Sequence, residues 1–145
     1  MVSSCGQDIL FEQNQRISDG SWNSKSPAVF ELDVKDTLTG YDFYINVRNS
    51  GSYGFSNMYV FVVTRFPGGQ VIRDTVECMM ATPEGEWIGT GFGDLHDQSI
   101  LFKRAVNFPR SGTYRFELIQ AMREDPLEGV SDIGLRIEKM SIDRK

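Results

Sequence analysis

The 145-residue chain has no apolar run longer than residues 58–63, which is strand length, against the roughly 18 to 20 that a membrane-spanning helix needs. The visible sequence is therefore not expected to cross a bilayer as a helix. Histidine is nearly absent. His96 stands alone, so a zinc site of three or four His, Cys or carboxylate ligands has no second histidine to draw on, and no metal or other cofactor is expected. Cysteine is limited to Cys5 and Cys78, too few for a disulfide framework. Basic residues are outnumbered, 15 Lys and Arg against 20 Asp and Glu, for a net charge of -5. The nearest thing to a basic cluster, Lys103, Arg104, Arg110 and Arg115, is spread over a strand-turn-strand region. Nucleic acid, whose phosphates need clustered cations, is not an expected partner. Helical periodicity, internal repeats, linkers and low-complexity segments are also missing, which leaves one domain without helices.

What is present in quantity is alternation with a period of two, interrupted by Gly, Pro, Asn and Asp. Phe30, Leu32 and Val34 alternate with Glu31, Asp33 and Lys35; Tyr41, Phe43, Ile45 and Val47 alternate with Asp42, Tyr44, Asn46 and Arg48. Residues 58–63 are apolar at every position, as in a central strand covered on both faces. The turn Phe66-Pro67-Gly68-Gly69 joins them to a strand over 71–80 with Ile72, Val76, Cys78 and Met80 on its inner face. Most of 82–97 is expected to be loop. Further strands are expected from Ile100 to Phe108, from Tyr114 to about Met122, and around Ile133, Leu135 and Ile137, with 123–129 a polar turn. Seven to nine strands predict an all-β fold, a two-sheet antiparallel β-sandwich of immunoglobulin-like or jelly-roll topology, over residues 8–145. With 40% hydrophobic and 24% charged residues, it is expected to fold without staples.

No catalytic constellation stands out. Gly89-Thr90-Gly91-Phe92-Gly93 is glycine-rich, but phosphate loops open a helix and none follows here, so these glycines are expected to permit positive φ or close backbone approach. His96 reads as a surface loop residue. Glu86, Asp94 and Asp97 match no EF-hand spacing. No Gly-x-Ser-x-Gly elbow supports a nucleophile, and pairs among so many carboxylates are uninformative. An enzyme is not expected. Trp22, Tyr53, Phe55, Trp87 and Phe92 fall near loops, where they either close the ends of the sandwich or contact a sugar or a protein partner.

The start of the chain carries a different signal. Val2-Ser3-Ser4-Cys5-Gly6 has the form of a bacterial lipoprotein processing site: an aliphatic residue, small residues that admit the peptidase, then the thiol that carries lipid. No charged segment followed by an apolar one precedes it, so a leader is either absent or trimmed, and the motif favours trimming. Residues 1–7 then form an attachment segment and tether. Two alternatives stand beside this: Cys5 as an ordinary terminal residue, or as the disulfide partner of Cys78.

Across nearly the whole chain after Cys5, the sequence resembles the GldH family, gliding motility lipoproteins of the Bacteroidetes. The matching features, in order, are Tyr44 with Val47-Arg48-Asn49; Tyr53 with Ser56-Asn57-Met58-Tyr59; the Phe66-Pro67-Gly68-Gly69 turn; Asp74-Thr75; and Gly85-Glu86-Trp87-Ile88-Gly89. Phe108 with Gly112-Thr113-Tyr114, Gln120-Ala121-Met122-Arg123 and Asp132-Ile133-Gly134-Leu135-Arg136-Ile137-Glu138 complete the series. The resemblance implies an outer-membrane lipoprotein, periplasmic or surface facing, without enzymatic activity. Its implied partners are other cell-envelope proteins of the gliding and type IX secretion machinery, and the membrane itself through lipid on Cys5. Trp87, Tyr53 and Arg123 are the expected contact residues, and a carbohydrate-binding module is the alternative. If Cys5 is the lipid acceptor, Cys5→Ala moves the full-length protein from the membrane fraction to the soluble fraction; unchanged fractionation removes the anchor.

Overall fold

The computed structural model describes residues 8–140, and the 1–7 segment with Cys5 lies outside them. Among the described residues the strands are β1 Ile9–Arg16, β2 Ser21–Trp22, β3 Ala28–Val34, β4 Tyr41–Ser50, β5 Asn57–Arg65, β6 Val71–Met79, β7 Leu95–Val106, β8 Gly112–Gln120, β9 Leu127–Glu128 and β10 Val130–Lys139. A single 3-10 turn, Ser18–Gly20, separates β1 from β2. The eight long strands form two antiparallel sheets, ordered β1-β10-β4-β7 and β3-β8-β5-β6, while β2 and β9 pair separately. Only β5 and β6 are both consecutive in the chain and paired with each other; every other connection between long strands passes from one sheet to the other. Of the two sandwich arrangements left open by the alternation, this interleaving is the jelly-roll one, because immunoglobulin sheets keep consecutive strands together.

The alternation explains the packing. In β4, Phe43, Ile45 and Val47 point inward, and in β10 Ile133, Leu135 and Ile137 do the same; they meet Val60 and Val62 of β5 and Phe116 and Leu118 of β8, all buried. Slipping any one of these strands by a residue exchanges its apolar and polar faces, so burial fixes the register.

Three local expectations are corrected by the pairing. Residues 58–63 form the inner part of β5, but only one face is covered: Met58, Val60 and Val62 are buried, while Tyr59 is exposed and Phe61 and Val63 are half-buried on the outer surface. Instead of a second layer, Phe61 has Ile119 across the strand pair and the Arg73 guanidinium 4.2 Å above its ring. Residues 95–97 belong to β7 and not to a loop, because Leu95, His96 and Asp97 pair with Ser50, Asn49 and Arg48 of β4, a long-range ladder that overrides the glycine-rich local composition. Asp42 is buried and not on a wet face: its Oδ1 accepts the Ala105 amide at 2.8 Å where the β4–β7 register shifts and Ala105 takes φ 56°.

The sandwich has two ends. Ile9 pairs with Glu138, Lys139 with Tyr41, and Tyr41 with Val106, so the start of β1 lies at the end that carries the 35–40, 66–70 and 107–111 connections. The opposite end carries the 51–56, 80–94 and 121–126 connections and the β2–β9 pair. Tyr114 ties down the first end, its hydroxyl donating to the Arg110 carbonyl at 2.7 Å. At the second end Gly129, with φ 94°, lies so close to Tyr53 that a Cβ there would sit 2.5 Å from the Tyr53 backbone. Gly129→Ala therefore combines a strained backbone with a backbone clash, and should lower unfolding stability by about 3 kcal/mol. A urea midpoint equal to that of the parent protein would contradict this packing.

Candidate interaction site

At the end away from Ile9, the chain builds an aromatic cluster from two connections and the start of β7. Tyr53 follows β4, and its ring lies 5.8 Å from Phe55 and 6.4 Å from Trp87; Trp87 in turn lies 5.6 Å from His96 of β7. Tyr53 is only 3% exposed, and its hydroxyl donates to the Asn57 carbonyl at 2.6 Å. Burial raises its pKa, so it stays a neutral hydrogen-bond donor. Tyr53 thus supports Trp87 from beneath and offers no open surface of its own. Trp87 is half-buried, bridged to Ala81 in a short antiparallel contact and in ring contact with both Tyr53 and His96. His96, expected as a surface loop residue, is a half-buried strand residue that supports the indole.

The glycine-rich loop folds back on β7. Thr90 and Asp97 exchange backbone hydrogen bonds of 2.9 and 2.8 Å, and the Leu95 amide donates to the Phe92 carbonyl at 3.2 Å. A Cβ on Gly91 would stand 2.4 Å from the Leu95 carbonyl oxygen, so only glycine permits the approach, as the sequence suggested. The result is a tight hairpin that holds Phe92 outward, 96% exposed. Phe55, Ile88, Leu95 and Met79, from neighbouring segments of the same end, are each more than a third exposed. The 82–97 segment contains Glu84, Glu86, Asp94 and Asp97 and no Lys or Arg, so the apolar tip has an acidic rim. Two of these carboxylates have structural partners: Asp94 accepts the Gly51 amide, and Asp97 pairs with Arg48 at 2.6 Å. Among the described residues no group of three His, Cys, Asp or Glu side chains is placed to hold a metal ion.

Arg123 is exposed on the turn after β8 at the same end, and no hydrogen bond or ring contact joins it to Tyr53 or Trp87 among the described residues. Its turn is fixed by Gln120, whose amide nitrogen reaches the Glu124 carbonyl and Asp125 Oδ1, both at 3.1 Å, while its oxygen accepts the Met122 amide at 2.8 Å. Trp22, counted among the loop aromatics, is 1% exposed core. Cys78 is buried with a free thiol whose pKa is pushed up to about 12 by desolvation, as fits an inward-facing core residue.

Two cavities lie elsewhere. A polar trough of 510 Å³ on the outer face of the β1-β10-β4-β7 sheet is bounded by Glu12, Asn14, Asn46, Arg48, Asp97 and Asp132. Asn14 reaches its place on this face by lying over Gly134, whose missing side chain leaves room for the Asn14 amide. Its polar groups are largely satisfied by one another: Asn46 donates to Glu12 at 2.8 Å and accepts Ser99 at 2.6 Å. An apolar pocket of 290 Å³ opens at the Ile9 end, lined by Phe43, Phe66, Phe102, Phe108 and Phe116 with Lys103 at its edge.

The sequence matches the GldH lipoprotein family over residues 9–137. That span covers all the long strands of both sheets, β10 but for its last two residues, and the whole Trp87 cluster. The chain belongs to the GldH lipoprotein family. It is 39% identical to the gliding motility lipoprotein GldH homolog of Christiangramia forsetii, over 96% of this chain and 89% of that protein. It is 32% identical to gliding motility lipoprotein GldH of Flavobacterium johnsoniae, over 96% of this chain and 90% of that one. No solved structure matches it. For this GldH relative, side-chain support and side-chain display are therefore separable: Trp87→Ala should cost about 2 kcal/mol of stability by removing a packed ring, and Phe92→Ser should change stability by less than about 0.5 kcal/mol. Thermal unfolding of the two variants checks the split, and equal losses would refute it.

Proposed function

We propose that this GldH-family protein is a non-catalytic interaction module held at the outer membrane by lipid on Cys5, working beside gliding and type IX secretion machinery. The observation that carries the reading is the Phe92 end. An aromatic is presented fully to water on a hairpin fixed by two backbone hydrogen bonds, at the same end as the packed Tyr53–Trp87–His96 cluster and within a segment whose charges are all acidic. Display of a large ring on a rigid tip costs a partner little ordering entropy, which is the property of an interface anchor. The acidic rim favours an envelope protein whose apolar pocket is edged by Lys or Arg. Trp87 supplies a contact through its open edge, Tyr53 acts through Trp87, and Arg123 extends the surface on the adjoining turn.

A carbohydrate-binding function has one feature in its favour, the polar trough around Asn46 and Arg48. Against it, no aromatic ring lines the trough to stack on a sugar, and the half-buried Trp87 ring already has Tyr53 and His96 as neighbours. A glycan array probed with the purified domain separates the two: binding lost on Asn46→Ala supports the trough, and an empty array leaves the protein-partner reading.

The direct test places a photo-crosslinking amino acid at position 92 and, in parallel, at position 14 in intact cells. A discrete protein adduct from 92 and none from 14 is the expected result. Adducts from 14 alone would overturn the assignment of the surface.

A further inference from the structure

The end of the sandwich opposite Phe92 also presents a single apolar side chain on a rigid tip. Leu38 is 91% exposed at the apex of the β3–β4 connection. Asp36 Oδ1 accepts the Leu38 and Thr39 amides at 2.8 and 3.1 Å, and its other oxygen takes the Thr39 hydroxyl. Asn107 of the β7–β8 connection donates to the Thr37 carbonyl at 3.0 Å, binding the two tips together. The loop is thus held in one shape, with its one large apolar side chain pointing away from the protein.

The charges around it differ in sign from the chain as a whole. Segments 35–40, 66–71 and 103–111 contain Lys35, Lys103, Arg104 and Arg110 against Asp36, and Lys139 ends β10 beside them; the exposed Asp8 and Asp33 at the adjoining ends of β1 and β3 reduce this excess of cations without cancelling it, in a protein of net charge -5. Lys103 is committed to Asp74 at 3.1 Å. Lys35, Arg104, Arg110 and Lys139 have no carboxylate within ion-pair distance among the described residues. Apolar groups share this end: Val106 and Val71 are exposed, and the 290 Å³ pocket lined by Phe66, Phe102 and Phe108 lies there. The start of β1 stands in the same row, and the four residues from Cys5 to Ile9 span at most about 14 Å.

We propose that this end is the membrane-facing surface of the domain: Leu38 enters the interfacial region of an anionic phospholipid bilayer while Lys35, Arg104, Arg110 and Lys139 face the headgroups. The inference extends the lipid-anchor reading, since a tether on Cys5 would bring this end to the bilayer, but its chemistry does not need the anchor. Each cation near an anionic surface strengthens binding by about fivefold, weakened by salt. Leu38 adds apolar contact that salt does not screen. The two poles then have different tasks, the basic one resting on lipid and the acidic Phe92 one projecting away from it.

The test uses the full chain as unacylated Cys5→Ser protein with vesicles of phosphatidylethanolamine, with and without phosphatidylglycerol. An environment-sensitive fluorophore is attached at Leu38→Cys or, separately, at Phe92→Cys; Cys78 is buried and does not compete for the label. The expected result is a blue shift at position 38 on phosphatidylglycerol vesicles and none at position 92, with cosedimentation of the unlabelled protein falling at least fivefold on Leu38→Asp. Binding that persists in Leu38→Asp, a shift at 92 alone, or no shift at either position overturns the proposal. Native-like circular dichroism of Leu38→Asp excludes misfolding as the cause. Failure of the anchor is a separate outcome: it appears as unchanged fractionation of Cys5→Ala cells and leaves the position-38 signal intact.

Discussion

The two four-stranded sheets each have one face that water must not reach, and the structure depends on burying those faces against each other. Ile45, Ile133, Leu135 and Ile137 from one sheet and Val60, Val62, Phe116 and Leu118 from the other are removed from solvent together. Because consecutive long strands other than β5 and β6 alternate between sheets, no sheet can be completed locally. β1 meets β10, and β3 meets β8, so each sheet joins strands that lie far apart in the chain. Everything that remains for function is pushed to the places this packing does not use, the two ends and the outer faces.

At those ends the same device appears twice. Phe92 and Leu38 are each displayed by a turn whose backbone is tied by hydrogen bonds, one by Thr90 and Asp97, the other by Asp36 and Asn107. A flexible loop would let either side chain fold back onto the protein and hide its apolar surface; the ties prevent that. Around Phe92 the charge is negative and around Leu38 it is positive, so the two tips suit different surroundings. The stability of the domain and its contacts with other molecules thus rest on largely separate residues.

Much of the fold was legible because strand alternation is a direct record of which face is buried. The strands at 30–34, 71–79 and 114–119 have the inner and outer faces that the alternation predicts, and the one at 41–48 has them except at Asp42, which is buried. What failed did so for tertiary reasons. The uniformly apolar stretch of β5 looked doubly covered, but Tyr59 and Phe61 are partnered across the sheet surface by side chains distant in sequence. Residues 95–97 looked like loop until β4 paired with them. Among the site residues, Trp87 was recognisable from its glycine-rich setting, and Phe92 from the glycines on either side of it. The burial of Tyr53 was not readable, because it depends on Gly129, distant in sequence, which the β10–β4 pairing brings within contact distance. Leu38 left one faint signal, a lone large apolar residue inside Asp36-Thr37-Leu38-Thr39-Gly40, which alternation arguments pass over as turn.

On the proposed reading the domain stands between a membrane and a partner; its strands of nine to twelve residues run along its long direction, giving roughly 30 to 40 Å from one pole to the other. Neutron reflectometry of the acylated protein on a supported bilayer measures that arrangement most directly. The account predicts an upright layer roughly 30 to 40 Å deep, with a deuterated probe at position 92 near its outer boundary. A layer about half as deep, with that probe close to the headgroups, would mean that the sandwich lies on one of its sheet faces, and would contradict the division of labour between its two ends.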